Sequence, residues 1–201
     1  VTDSYAIVVQ GLQSLDDFRR MGDSIEMNAV RAINKVIASA RTTAARKVRE
    51  QVNLPASYLN RPDRLGVTKK ATRGDLEAII TGRHRPTSLA RFATSGNVGG
   101  KPGARIQVKP GLATFLPKAF FIRLRSGNTD GGPGNIGLAI RLPQGQRPSR
   151  AYKPTELGNG LWLLYGPSID QVFDDVATDM SPATAAALEA EFTRLMGVRL
   201  Q

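Results

Sequence analysis

Between Ser24 and Val52 apolar residues recur every three or four positions: Ile25, Ala29, Ile33, Val36, Ala40, Ala44, Val48 and Val52. That period predicts an amphipathic helix of about seven to eight turns. Arg31, Lys35, Thr42, Arg46 and Arg49 occupy another of its faces. The middle of the apolar stripe is rich in alanine (Ala38, Ala40, Ala44, Ala45), which lets a neighbouring helix or sheet approach closely. Ahead of it, Tyr5 to Val9 reads as a short β-branched strand closed by Gly11. Ser14 is a candidate N-cap, with Asp16 and Asp17 in the turn that follows.

Beyond the long helix the period changes. Pro55 can open a short helix over Ala56 to Leu59, and a basic stretch follows from Arg61 to Arg73. Leu76 to Thr81 alternates weakly as a strand. Ala104 to Val108, Ala119 to Leu124 and Gly137 to Leu142 are further strands, and Leu161 to Tyr165 is an apolar run that suits a buried one. Loops are expected near 82–103 (with a helical turn at Ser88 to Phe92), 127–136 and 143–153. Two helices close the chain. One runs from about Ile169 to Thr178. The other starts at Ser181-Pro182, serine as N-cap and proline in the first turn, runs to Met196 and ends at Gly197, with Ala185, Leu188, Phe192 and Leu195 on its apolar face. The fold class is therefore α+β: an N-terminal strand and long helix, a central, mostly antiparallel β-sheet, and two C-terminal helices. We expect a single domain over residues 1–201, with residues 1–23 as a separable arm.

Charge changes the picture more than composition does. The 201 residues carry a net charge of +11, unevenly placed. Residues 1–18 hold three acids and no base; residues 19–153 hold 26 Lys and Arg against 7 Asp and Glu; residues 154–201 hold 2 bases against 7 acids. A basic body with acidic ends has two active readings. It can follow a phosphate backbone, or the acidic end of one subunit can dock on the basic body of the next. A third reading leaves the charge to solubility alone. Basic residues here have few aromatic companions, chiefly Tyr58, Phe92 and Tyr152. Any contact with nucleic acid is therefore expected at the backbone and without sequence preference, because stacking platforms are scarce.

Candidate chemistry is thin. Cysteine is absent, which removes disulfides, thiolate metal sites and a cysteine nucleophile. The single histidine, His84, stands between Arg83 and Arg85 with no serine or aspartate arranged for catalysis. Gly132 to Gly137 matches G-x-G-x-x-G, but it precedes a strand and contains Pro133, so it reads as a hairpin loop rather than a phosphate cradle. Asp170 and Asp174, and Asp175 and Asp179, are spaced to share helix faces; a solvated or docking face fits them better than a divalent-cation site. No catalytic, cofactor-binding or metal-binding residue is assigned, and an enzyme is not expected. No segment has the apolar length of a membrane span and no signal-peptide pattern opens the chain, so synthesis in a cytoplasm, with no membrane partner, is expected.

The order of the pieces resembles the phage minor tail protein Z family of lambda-like phages and prophages. Four stretches carry the likeness: Ala32-Ile33-Asn34-Lys35-Val36 with the small and basic residues up to Arg49; Arg73-Gly74-Asp75-Leu76; Lys118-Ala119-Phe120-Phe121-Ile122 with Ser126-Gly127; and Leu164-Tyr165-Gly166-Pro167-Ser168-Ile169 followed by Val172-Phe173. The resemblance runs from about residue 25 to residue 196 and implies a structural virion protein. On that reading it is a tail-completion component that finishes the head-proximal end of the tail and supports head–tail joining. It further implies a homo-oligomeric ring, such as a hexamer, around the DNA channel, other tail or neck proteins as partners, possible non-specific contact with genomic DNA, and no cofactor. The alternative is a basic nucleic-acid-binding protein acting outside a particle.

Overall fold

The computed structural model describes residues 23–96, 98–124 and 136–197. The strand expected at Tyr5 to Val9, the arm before residue 23 and most of the 127–136 loop lie outside those residues. The class is α+β, as the periodicity indicates. The described residues form two compact units: residues 23–48, 56–83 and 170–197 in the first, residues 49–55 and 84–169 in the second.

The first unit is built on two long helices. Helix α1 (Asp23–Gln51) buries most of the expected stripe, with Ala29, Ala44 and Val48 almost wholly enclosed; Ala32 is enclosed beside them, whereas Ala38, expected on the stripe, is exposed. A short helix α2 (Ala56–Leu59) follows. The basic stretch then hides a strand, β1 (Leu65–Lys69), paired antiparallel with β2 (Ile79–Gly82). Helix α3 spans Ile169–Gly197 without interruption and carries Pro182 inside it. The expected break at Ser181-Pro182 does not occur. Val172, Val176, Met180, Thr184 and Leu188 form an unbroken series of buried residues four apart, whereas Ser181 and Pro182 are exposed on the other side. Burial of that stripe outweighs the local capping signal. Ala185, expected on the apolar face, is exposed.

Polar side chains fix how these helices sit within the unit. Asn34 on α1 forms a two-bond rung with Ala71: its amide nitrogen donates to the Ala71 carbonyl at 2.9 Å, and its oxygen accepts from the Ala71 N–H at 3.0 Å. Arg41 donates to the carbonyls of Leu59 (2.9 Å) and Leu65 (3.0 Å), holding the end of α2 and the start of β1. Glu191 of α3 accepts from Lys35 of α1 at 2.8 Å and from Arg194 at 2.6 Å.

The second unit is β-rich. A three-stranded antiparallel sheet runs β3 (Ala93–Ser95), β4 (Ala104–Lys109), β5 (Leu112–Leu116). A four-stranded antiparallel sheet has β6 (Ala119–Arg123), β7 (Ile136–Arg141) and β9 (Leu161–Leu164) side by side, with β8 (Thr155–Gly158) outside β9. The central sheet anticipated from sequence is thus distributed over three sheets, counting the β1–β2 pair. Its core gathers Leu89, Phe92, Ile106, Leu138, Leu163 and Leu164. The 82–103 segment is not a bare loop. It holds a 3-10 turn, Leu89–Phe92, whose N-cap Ser88 accepts from the Ala90 N–H, and then β3. Gly166 lies in contact range of the Phe92 and Leu89 side chains, where a β-carbon would come within 3.0 Å of the Phe92 ring.

Candidate assembly surfaces

Three surfaces carry residues whose chemistry exceeds what their own unit needs. The first is the β4–β5 hairpin. Strand β5 hydrogen-bonds to β4 alone, and all its side chains but that of Leu116 are exposed. Leu112 is 66% and Phe115 57% exposed. Strand β8, at the end of the four-stranded sheet, exposes Leu157 at 51%. Among the described residues only Val98 joins these three as an exposed large apolar side chain, and all four belong to the second unit. Edge strands in solitary proteins are normally blunted by charge, proline or cover. Here the apolar side chains sit on the edges themselves.

The second surface is the outer face of α1. Arg31, Lys35, Thr42, Arg46 and Arg49 are all exposed, as the helical period requires. Part of the basic charge is nonetheless engaged internally. Lys35 pairs with Glu191, and Arg194 together with Lys35 holds that carboxyl down to about 2. Arg64 lies over the Tyr58 ring at 5.0 Å, and Arg83 donates to the Tyr58 hydroxyl at 3.0 Å. Burial lowers the pKa of Arg64. Arg61 and Arg64 also pair with Asp63, and Lys69 with Asp75 and Glu77, so much of the Arg61–Arg73 basic stretch serves the fold of the first unit, which the charge count alone did not reveal.

The third surface is a cleft of about 470 Å³ in the second unit, lined by Arg147, Pro148, Arg150, Lys153, Pro154 and Trp162. A 3-10 turn, Arg150–Tyr152, sets its rim; Ser149 caps it by accepting from Ala151, and the Tyr152 carbonyl accepts from the Tyr165 N–H at 2.8 Å. Lys153 closes the turn in the left-handed region (φ 42°), a conformation that costs a β-substituted residue free energy. Trp162 comes from β9 between Ile140 and Glu156 on its neighbouring strands. It is 8% exposed, and its indole N–H, fully covered, has no acceptor. Arg147 and Arg150 make no ion pair among the described residues. Trp162 and Arg147 also line a second cleft of about 490 Å³ that contains Glu156.

The residues weighed for chemistry from sequence do not converge. His84 is exposed between β2 and the Leu89–Phe92 turn. Asp170 is buried, with its backbone N–H on the Arg83 carbonyl, while Asp175 and Asp179 are exposed on α3. No group of three His, Asp or Glu able to hold a metal ion exists among the described residues. Gly137 lies in β7, opposite Ile122, so the end of the glycine-rich motif feeds a strand and not a helix; Gly132 to Asn135 lie outside the described residues. No described helix is long and apolar enough to cross a membrane. The Trp162 cleft was missed because its cations lie in a loop segment and its floor in an apolar strand. The proline pairing of Arg147-Pro148 and Lys153-Pro154 was its one local signal.

No protein-family model matches the chain, and no curated protein and no solved structure matches it.

Proposed function

We propose that this chain is a structural subunit of a phage virion: a minor tail or tail-completion protein that finishes the head-proximal end of the tail, supports head–tail joining and assembles as a ring of copies around the DNA channel. The observation that carries the assembly part is the β4–β5 hairpin. An edge strand that exposes Leu112 and Phe115 is a surface for another chain to cover. Covering those two side chains contributes about 2–4 kcal/mol, enough to favour association without holding a monomer unfolded. The order of sequence segments from α1 through the Leu164–Ile169 junction supports the tail assignment.

The exposed basic face of α1 favours one other reading, a free nucleic-acid-binding protein. Two measurements separate them. Imaging of purified particles is expected to place the chain's density at the tail's proximal end, and the mass of the purified chain is expected to rise with concentration. A chain missing from every particle that stays monomeric yet binds duplex DNA tightly, with a steep loss of affinity as salt rises, would sink the virion reading and establish the other.

A further inference from the structure

The Trp162 cleft combines features that neither a plain core nor a solvated basic face needs. Its floor is an indole that lies more than nine-tenths buried, flanked by Pro148 and Pro154. Its rim carries Arg147, Arg150 and Lys153. Lys153 is held at the rim in a left-handed backbone conformation. Such a site suits a carboxylate carried on a short stem beside small apolar groups, with the guanidinium groups taking the charge. Glu156 lies on the second cleft, which Arg147 and Trp162 also line, and not on this one.

The same chain carries a matching surface. Asp175 and Asp179 are exposed one turn apart on α3, and the stripe continues through Pro182, Ala183 and Ala186, also exposed. Asp174 is only partly exposed and Asp170 is buried, so Asp175 and Asp179 are the carboxylates at the start of this stripe, and Glu189, also exposed, lies at its far end. Neither Asp175 nor Asp179 makes an ion pair among the described residues. We propose that the cleft of one copy receives this α3 stripe of a second copy, Asp175 and Asp179 pairing with Arg147 and Arg150 while the alanines lie against the indole and proline rings. The proposal rests on the reading of the chain as a self-assembling subunit. Cleft and stripe are different patches, so the contact is heterologous, and repeated around an axis it is the kind that closes into a ring. Duplex DNA fits less well, because its phosphates meet extended basic faces and gain nothing from a recessed apolar floor.

The chain contains one tryptophan, so its fluorescence reports on this cleft alone. The full-length protein is diluted through its association range and the access of a neutral quencher to Trp162 is measured. Quencher access is expected to fall as the protein associates. Arg147→Glu with Arg150→Glu, and separately Asp175→Lys with Asp179→Lys, are expected to raise the midpoint concentration by at least about tenfold. All four changes on one chain restore opposite charges and are expected to bring the midpoint back. Arg147→Gln with Arg150→Gln serves as a milder pair, with circular dichroism confirming the fold.

Several results overturn the proposal: midpoints unmoved by either pair, no recovery in the fourfold variant, or a Trp162 response to a duplex oligonucleotide but not to sister chains. If both pairs leave the mass of the assembly unchanged, the cleft proposal falls while the subunit reading stands. If the wild-type chain never associates and is missing from particles, both fall.

Discussion

Pro182 offers a direct measurement of what holds α3 together. Inside a helix, proline cannot donate to the carbonyl four residues back, here that of Thr178, and its ring crowds that carbonyl. Relative to alanine the interior cost is about 3 kcal/mol. Pro182 is exposed, so Pro182→Ala removes no packing. The unfolded chain regains backbone freedom, which returns about 0.5–1 kcal/mol of the gain. The expected net effect is a stabilisation of about 2 kcal/mol, or about 4–8 °C in the midpoint for a chain of this size. Thermal and urea unfolding followed by far-ultraviolet circular dichroism would read it, in the transition of the unit that contains α3. If Ser181 and Pro182 instead began a separate helix, proline would be in its favoured first-turn position and alanine would be neutral or slightly destabilising. An unchanged or lowered midpoint would refute the continuous helix.

Three other outcomes are expected. Asn34→Ala strands the N–H and carbonyl of buried Ala71 and should cost about 2–3 kcal/mol in chemical unfolding, whereas an exposed alanine-for-threonine change such as Thr42→Ala should cost far less. Glu191, with its folded-state pKa near 2 because of Arg194 and Lys35, contributes stability that is fully present above the ordinary glutamate range and is lost as pH falls toward 2. The stability gap between wild type and Glu191→Gln, followed by acid titration of the unfolding midpoint, should therefore be flat near neutrality and close with acid; a gap that widens in acid would contradict it. Leu112→Ser with Phe115→Ser should leave the melting midpoint nearly unchanged and weaken self-association by at least about tenfold in sedimentation, since both side chains are exposed in the monomer.

Where burial and period agreed, the sequence was readable. Helix α1 follows its three-and-four spacing to within a residue at each end, and β4, β6, β7 and β9 stand where alternation or an apolar run put them. Two kinds of element escaped. In β1, Lys69 and the surrounding cations mask a strand whose buried residues, Leu65 and Gly66, are adjacent and so show no alternation. In β5 and β8 nearly every side chain is exposed, so neither strand shows the apolar contrast that marks one on a core. Such edges are defined by backbone pairing, which leaves little trace in residue type. The break assigned at Ser181-Pro182 shows the converse: a strong local capping signal yields to a long-range stripe that runs through it. Of the three candidate surfaces, the face of α1 was legible because a single helix displays it. The Trp162 cleft, which needs a loop turn and a strand brought together, was not.

The rung between Asn34 and Ala71 bears on how α1 finds its seat. Much of the stripe that α1 buries is alanine, and a row of methyl groups is smooth: displaced by one turn, about 5.4 Å, it would still meet apolar neighbours. A side-chain amide that bonds a peptide group in both directions, as an adjoining strand would, acts as a detent. Sliding either way breaks both bonds together, so the helix has one resting place where the alanines alone would tolerate several.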